Sequence, residues 1–592
     1  MKKLSTKWLA VLLLVVMAAL MIGAALQDSA TVDETTHLVT GYSYWNGYRF
    51  RMTPDHPPLG QMLSAMPLLF MDVKLSPVAL AMLEGRLDYD FMMPWRGPLM
   101  SVKELVPDSC NGRYVGIPPL GDRMVEWKSS AGYPSDNWYY FCGTAQMLGK
   151  IIVYGGQNDG NKILLTGRLV SISMMLLTGF LIFFFTSKAT QSALAPLVAL
   201  VVWVFNPVVL AYGHLIYTDV GATLGLSAAI FLLAEFVEHP YLRTAVLCGV
   251  ATGIALCMKF TAVLLLPIGI AVLSCQFRSV QSRCKQPLLC FVGFAIAVWL
   301  VLVVVFFPNL APAPKPDPHL VNVLGIPTWF QALRPVLIPR DFFKGFSLVL
   351  GHSERGHGTF FLGKWSGTGW WYYFPVVLLL KSPVGFMVLL FWSLASFTKN
   401  FRATGIQERT CWLSAGTYLG FAMTSHVNIG IRHLLPIFPL MCIAIGCTFS
   451  RLQMKLPRMA FLVCLCWLIV VSIVAYPLYI QFFSEVVGGA KNGYKYSWDS
   501  NYDWGQDANR LKKYLDQNEI KHIYLDYFGT QYSIEYLGIV NTRISAEEAR
   551  QLKSGYLVVS ASRLVAPEWT WLRESRKPIM QVGHTLFVYQ FP

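Results

Sequence analysis

Long apolar stretches alternate with polar ones of unequal length as far as residue 480, and the pattern then changes to a mixed one over the last fifth of the chain. A hydrocarbon core of about 30 Å needs about 20 apolar residues per helix, and by that measure about eleven runs are candidate spans. They lie at residues 8–26, 166–185, 193–212, 219–237, 244–259, 261–276, 288–307, 372–397, 411–425, 434–449 and 459–480. The first follows Lys2, Lys3 and Lys7, and with Ala30 near a cleavage-like position it also resembles a signal peptide. It is long for that, and reads as a retained helix. The 244–276 pair is interrupted by Lys259 and Pro267, so a short hairpin that does not cross fully is the alternative there.

Basic residues collect in alternate short loops: Lys188; Arg243; Arg278, Arg283 and Lys285; Lys399, Arg402 and Arg409; Arg451, Lys455 and Arg458. Positive charge marks the cytoplasmic side. The alternation therefore predicts a multi-pass plasma (inner) membrane protein with its amino terminus inside and its carboxyl terminus outside. Three hydrophilic pieces then share the outer face: residues 27–162, residues 308–371 and a tail, residues 481–592. In the tail, Ser545 and Glu548 make a capping box, and residues 522–527, 556–560 and 585–590 read as strands. The expected fold is mainly α: a multi-spanning domain over residues 1–480 followed by a small extracytoplasmic α/β domain.

Composition agrees. Of 592 residues, 54% are hydrophobic and 14% charged, against roughly a quarter charged in soluble proteins. The net charge of +15 is spread over loops rather than gathered in a stripe, which argues against nucleic acid as a partner and leaves membrane lipids. Ten of the twelve cysteines lie in or beside apolar runs. The other two, Cys110 and Cys142, share the first hydrophilic loop. In an oxidising compartment they are a candidate disulfide, with two free thiols as the alternative.

The candidate chemistry sits just beyond the first apolar run, where the chain reads DETTH (Asp33, Glu34, His37) and later DHPPLGQML, with Asp55, His56, Pro57, Pro58 and Leu59. Taken alone, the acidic pair is also explained as a hydrated helix start, and His-Pro-Pro as a rigid turn before an interfacial helix. The combination is more specific. Asp33 to Leu63 resembles the first loop of the protein O-mannosyltransferases and of related bacterial glycosyltransferases of the GT-C superfamily, including the lipid A aminoarabinose transferase. Tyr44, Gly47, His56, Pro57, Pro58 and Leu59 fill that pattern, with His37 one residue further from the acidic pair. TGRLVS, AYGHLIYTD, GVATGIALCMKFTA, GWWYYFPVVLLLKSP, SHVNIGIRHLLP and the tail's DSNYDWGQD extend the likeness along most of the chain. There is no inserted β-trefoil, nor a Trp-Trp-Asp-Tyr-Gly motif, which favours a bacterial enzyme.

The resemblance implies an inverting transfer of a sugar from a polyprenyl-phosphate donor to a hydroxyl acceptor, with Asp33 as general base. A positioned base contributes about 10²–10⁴-fold in rate. Glu34 is the second candidate for that role, and His37, His56 and Asp219 are expected to orient the site. A helix N-cap is the competing reading of Asp219, which sits near His214. The leaving phosphate needs cations. Arg432, His433, Lys381 and Arg168 are the candidates, with snorkelling to the interface as the alternative. His352, Glu354, Arg355 and His357 read as a substrate lid or a loose metal cluster. Their spacing does not suit a closed zinc site, and no metal requirement follows. Trp365, Trp370 and Trp371 suit sugar stacking and an interfacial belt equally. A transporter or lipid-linked-sugar flippase is the competing class, but such proteins show two related halves and none are visible. Sugar and acceptor (protein, lipid or glycan) stay open.

Overall fold

The computed structural model describes residues 2–47, 52–83, 87–89, 124–126, 138–307 and 339–592. Cys110 lies outside them, as do residues 308–338 of the second loop. Among the described residues, six helices are long and apolar enough to cross a membrane: Thr6–Ala25, Gly160–Ala189, Thr218–Glu238, Pro287–Phe306, Ile431–Arg451 and Lys455–Ala475. The pair Ala195–Val204 and Pro207–Gly213, bent by 59°, is a broken span or a re-entrant loop. Pro207 has no N–H to continue the helix, and the Asn206 side chain restarts it by accepting from Val208 N at 3.0 Å.

The other expected runs are helical but shorter. Leu242–Met258 and Phe260–Cys275 are separated at Lys259, whose extended backbone ends the first of them. The 372–397 run is cut at Ser382-Pro383 into Tyr373–Lys381 and Val384–Lys399. Ile406–Ala422 carries Glu408 and Arg409 near its start. By length and composition six helices, or seven with the bent pair, pass among the described residues, and prolines and charged residues divide the remaining runs into shorter apolar helices.

The described helices of the first hydrophilic segment pack onto the bundle. After α1 (Lys2–Ala25) come α2 (Glu34–Trp45), α3 (Pro58–Ala65) and α4 (Trp138–Tyr154). Their packing needs small residues: a Cβ on Gly41 of α2 would stand 2.0 Å from the Gln61 carbonyl oxygen of α3. Leu38, Val39, Leu148, Ile152, Phe306 and Phe342 form an apolar cluster beneath them. Phe70, just past α3, is 87% exposed, as suits a segment lying at an interface.

The tail begins beyond the last apolar helix. After α5 (Ala508–Gln517) it forms a five-stranded sheet of β1 (Ile523–Asp526), β2 (Asn541–Arg543), β3 (Gly555–Ser560), β4 (Met580–Val582) and β5 (Leu586–Phe591), in the order β2-β1-β3-β5-β4. β1 pairs parallel with β2 and β3, whereas β5 pairs antiparallel with β3 and β4. The three expected strands and the Ser545–Glu548 capping box are all present.

Candidate functional site

The acidic pair is divided by its surroundings. Glu34 is fully buried. Both of its carboxylate oxygens accept from Arg168, Nε to Oε1 at 2.8 Å and an Nη to Oε2 at 2.7 Å. Thr31 N and Oγ1 donate to Oε2, and Ile216 N donates to Oε1. Burial pushes the Glu34 carboxyl up, but the Arg168 guanidinium outweighs it and holds the group below the usual glutamate range. Arg168 also donates to the carbonyls of Ala25, Asp28 and Ser29, so all five of its N–H groups are engaged. The pair thereby clamps the link between α1 and α2.

Asp33, one residue earlier, is partly exposed. Burial raises its carboxyl to about 6 against the nearby Arg432 charge, with Asp499, Asp55 and Glu34 pushing the same way as burial. His37 and His56 stand in an edge-to-face pair, centroids 5.0 Å apart. Burial, aided by the mutual repulsion at His37 and by Lys259 at His56, lowers both to about 3, so both rings are neutral near pH 7. The Gln61 amide lies 2.9 Å from His37 Nδ1, which assigns the His37 proton to Nε2.

Across from this loop a second group forms on three other segments. Asp219, buried in the first turn of its helix, does not cap it. Its carboxylate accepts from Lys259 and, at 3.4 Å, from Arg432, which removes the N-cap reading. His433 lies within electrostatic reach of Asp219. Arg432 lies against two stacked rings, its Cζ 4.6 Å from the Trp504 centroid and 5.2 Å from the Tyr217 centroid. Arg432 Nε is buried without a hydrogen-bond partner. Lys381, by contrast, is fully buried elsewhere, donating to the carbonyls of Ile480 at 2.7 Å and Asn501 at 2.6 Å.

The structure therefore brings Asp33, His37, His56, Asp219, Arg432 and His433 together, and sets Glu34 and Arg168 in a fully bonded pair and Lys381 against two backbone carbonyls. Lys259, Tyr217, Trp504 and Asp499 join the group without being expected there. Lys259 had a signal: a lysine within an apolar run needs a partner for the same reason as Lys381. The tail residues had none beyond their motif. His352 and His357 approach to 3.3 Å between ring nitrogens, and among the described residues no group of three or more His, Cys, Asp or Glu is arranged to hold a metal ion.

Residues 160–307 match the family described as dolichyl-phosphate-mannose-protein mannosyltransferase. Over that segment the chain is similar to a family of membrane mannosyltransferases. Crystal structures of ArnT from Cupriavidus metallidurans are similar along 99% of this chain and 98% of theirs. The form bound to undecaprenyl phosphate gives 10% identity and a TM-score of 0.46, the apo form 11% and 0.44. That likeness is too loose to carry residue roles across. No curated protein matches the sequence.

Proposed function

We propose that this chain is a GT-C glycosyltransferase that moves a sugar from a polyprenyl-phosphate carrier to a hydroxyl acceptor at the outer membrane face, with inversion. The similarity of residues 160–307 to a family whose description names a dolichyl-phosphate sugar supports that donor class. Asp33 takes the acceptor proton as the acceptor oxygen bonds to the anomeric carbon. The bond from that carbon to the phosphate oxygen breaks, and the carrier leaves as its phosphate. Arg432 and Lys259 neutralise that anion, with His433 beside them and Asp219 holding both cations in place until it arrives. Neutral His37 and His56 orient the acceptor side. Arg168 and Glu34 fix the loop that carries Asp33, and Lys381 ties the tail to the bundle.

The observation that carries this reading is Arg432 itself. It is a mostly buried guanidinium with one long bond to a carboxylate and an unpaired Nε, within electrostatic reach of Asp33. A buried donor without an acceptor carries a desolvation cost of about 1–3 kcal/mol, which an anionic ligand removes. The test is to incubate purified protein with a panel of polyprenyl-phosphate sugars and candidate acceptors and to follow release of polyprenyl phosphate. Release with at least one donor is expected. No release across the panel contradicts the proposal.

A further inference from the structure

The tail motif DSNYDWGQD contributes to the site described above, and the way it does so suggests a specific task. Trp504 is almost wholly buried at 2% exposure. Its indole stacks on Tyr217 with centroids 4.3 Å apart and planes 24° from parallel, and the Arg432 guanidinium lies against both rings. We propose that the stacked pair of Trp504 and Tyr217 forms an aromatic wall that orients Arg432 for the donor phosphate, making Trp504 a positioning residue of the reaction; this rests on the functional reading given above.

The geometry argues as follows. A guanidinium resting beside an aromatic pair is attracted without spending its N–H donors, which stay open to oxygen ligands. Arg432 otherwise has one 3.4 Å bond to Asp219 to fix a long, flexible side chain. Ring contact is thus the main restraint on its plane, and it leaves Nε unpaired rather than consuming it.

Trp504 is itself held unusually firmly. Its backbone N–H donates to Gln506 Oε1 at 2.7 Å, closing a tight turn. Gly505 follows at φ +87°, where a Cβ would stand 2.8 Å from Gly529 Cα, and Tyr527 donates its hydroxyl to the Gly505 carbonyl at 2.6 Å. The Trp504 carbonyl accepts from Val32 N at 3.1 Å, and the Gln506 carbonyl accepts from Ser29 N at 2.9 Å. One tail residue therefore anchors the backbone next to Asp33 and, through its side chain, the plane of Arg432. The spacing between base and phosphate clamp is set at a single point.

Trp504→Leu, which removes the ring face, tests this against Trp504→Phe, which keeps one. Donor KM, kcat and the pH profile of kcat/KM are read for both beside the wild type. A desolvated cation–π contact of about 2 kcal/mol corresponds to roughly a 30-fold change. Trp504→Leu is expected to raise donor KM at least about tenfold. It should also move the ascending pH limb upward, because Arg432 opposes burial at Asp33 while Asp499, Asp55 and Glu34 reinforce it. Trp504→Phe should recover most of that loss. Where Trp504→Leu does not fold, Tyr217→Leu removes the other face and makes the same comparison. A donor KM within twofold of wild type, or a fall in kcat alone with KM and pH limb unmoved, overturns the proposal. A wild type that consumes no donor instead overturns the functional reading on which it rests.

Discussion

Asp33 and Glu34 are neighbours in the chain with opposite surroundings, and that difference decides their roles. Glu34 accepts five hydrogen bonds and faces a guanidinium, so it is held charged and inaccessible. Asp33 is partly exposed, with its carboxyl raised to about 6. As a base it works only deprotonated, so kcat/KM should rise with pH through about 6 and fall about tenfold per unit below it, a limb absent from Asp33→Asn. A flat profile between pH 5 and 7 contradicts that assignment. The same raised value has the opposite sign for stability: the folded state holds the proton more tightly, so this contribution is present at low pH and lost as pH rises through about 6. Glu34→Gln should behave differently, leaving Arg168 buried without its counter-charge. A loss of about 3–5 kcal/mol is expected, read as a lower unfolding temperature in detergent. An unchanged unfolding temperature contradicts the structural role. The sequence showed the acidic pair, and the resemblance put Asp33 ahead of Glu34; the physical cause of their difference was hidden, because Arg168 lies 134 positions from Glu34.

At the scale of elements, breaks in helices position the chemistry. The bend at Pro207 precedes His214 and Tyr217, the interruption at Lys259 places an ammonium beside Asp219, and the Ser382-Pro383 break follows Lys381 directly. Of these breaks only the one at Lys259 was legible; the 193–212 and 372–397 runs read as continuous, although each contains proline. Even at Lys259 the consequence was hidden, since a lysine in such a run signals only that some partner exists. For Lys259 the partner is a carboxylate in the site; for Lys381 it is two backbone carbonyls and the face of Phe483 at 4.7 Å. Lys381→Met should therefore lose stability, at about 1–3 kcal/mol for each buried carbonyl left unpaired, with donor KM changed less than twofold. A selective rise in donor KM would return Lys381 to the phosphate site.

For the whole molecule, the mainly helical bundle and the small α/β tail follow from periodicity. The attachment of the tail does not, because it depends on ion pairs and backbone contacts between residues nearly 480 positions apart. Arg510 of α5 pairs with Asp507 and with Asp28, 2.7 Å away, and His214 meets the other Asp28 oxygen at 3.0 Å. Removing residues after Gln481 should abolish turnover and lower the stability of the remaining bundle, since Ser29 and Val32 lose their backbone partners. A truncated protein with full turnover would show that the tail is dispensable. The central claim, a carboxylate base facing a phosphate clamp, is tested most directly by measuring donor binding and turnover side by side for Asp33→Asn. The account predicts a donor Kd within about threefold of wild type and kcat reduced by about 10²–10⁴. A variant that turns over at the wild-type rate, or one that loses donor binding in proportion to its rate, contradicts it.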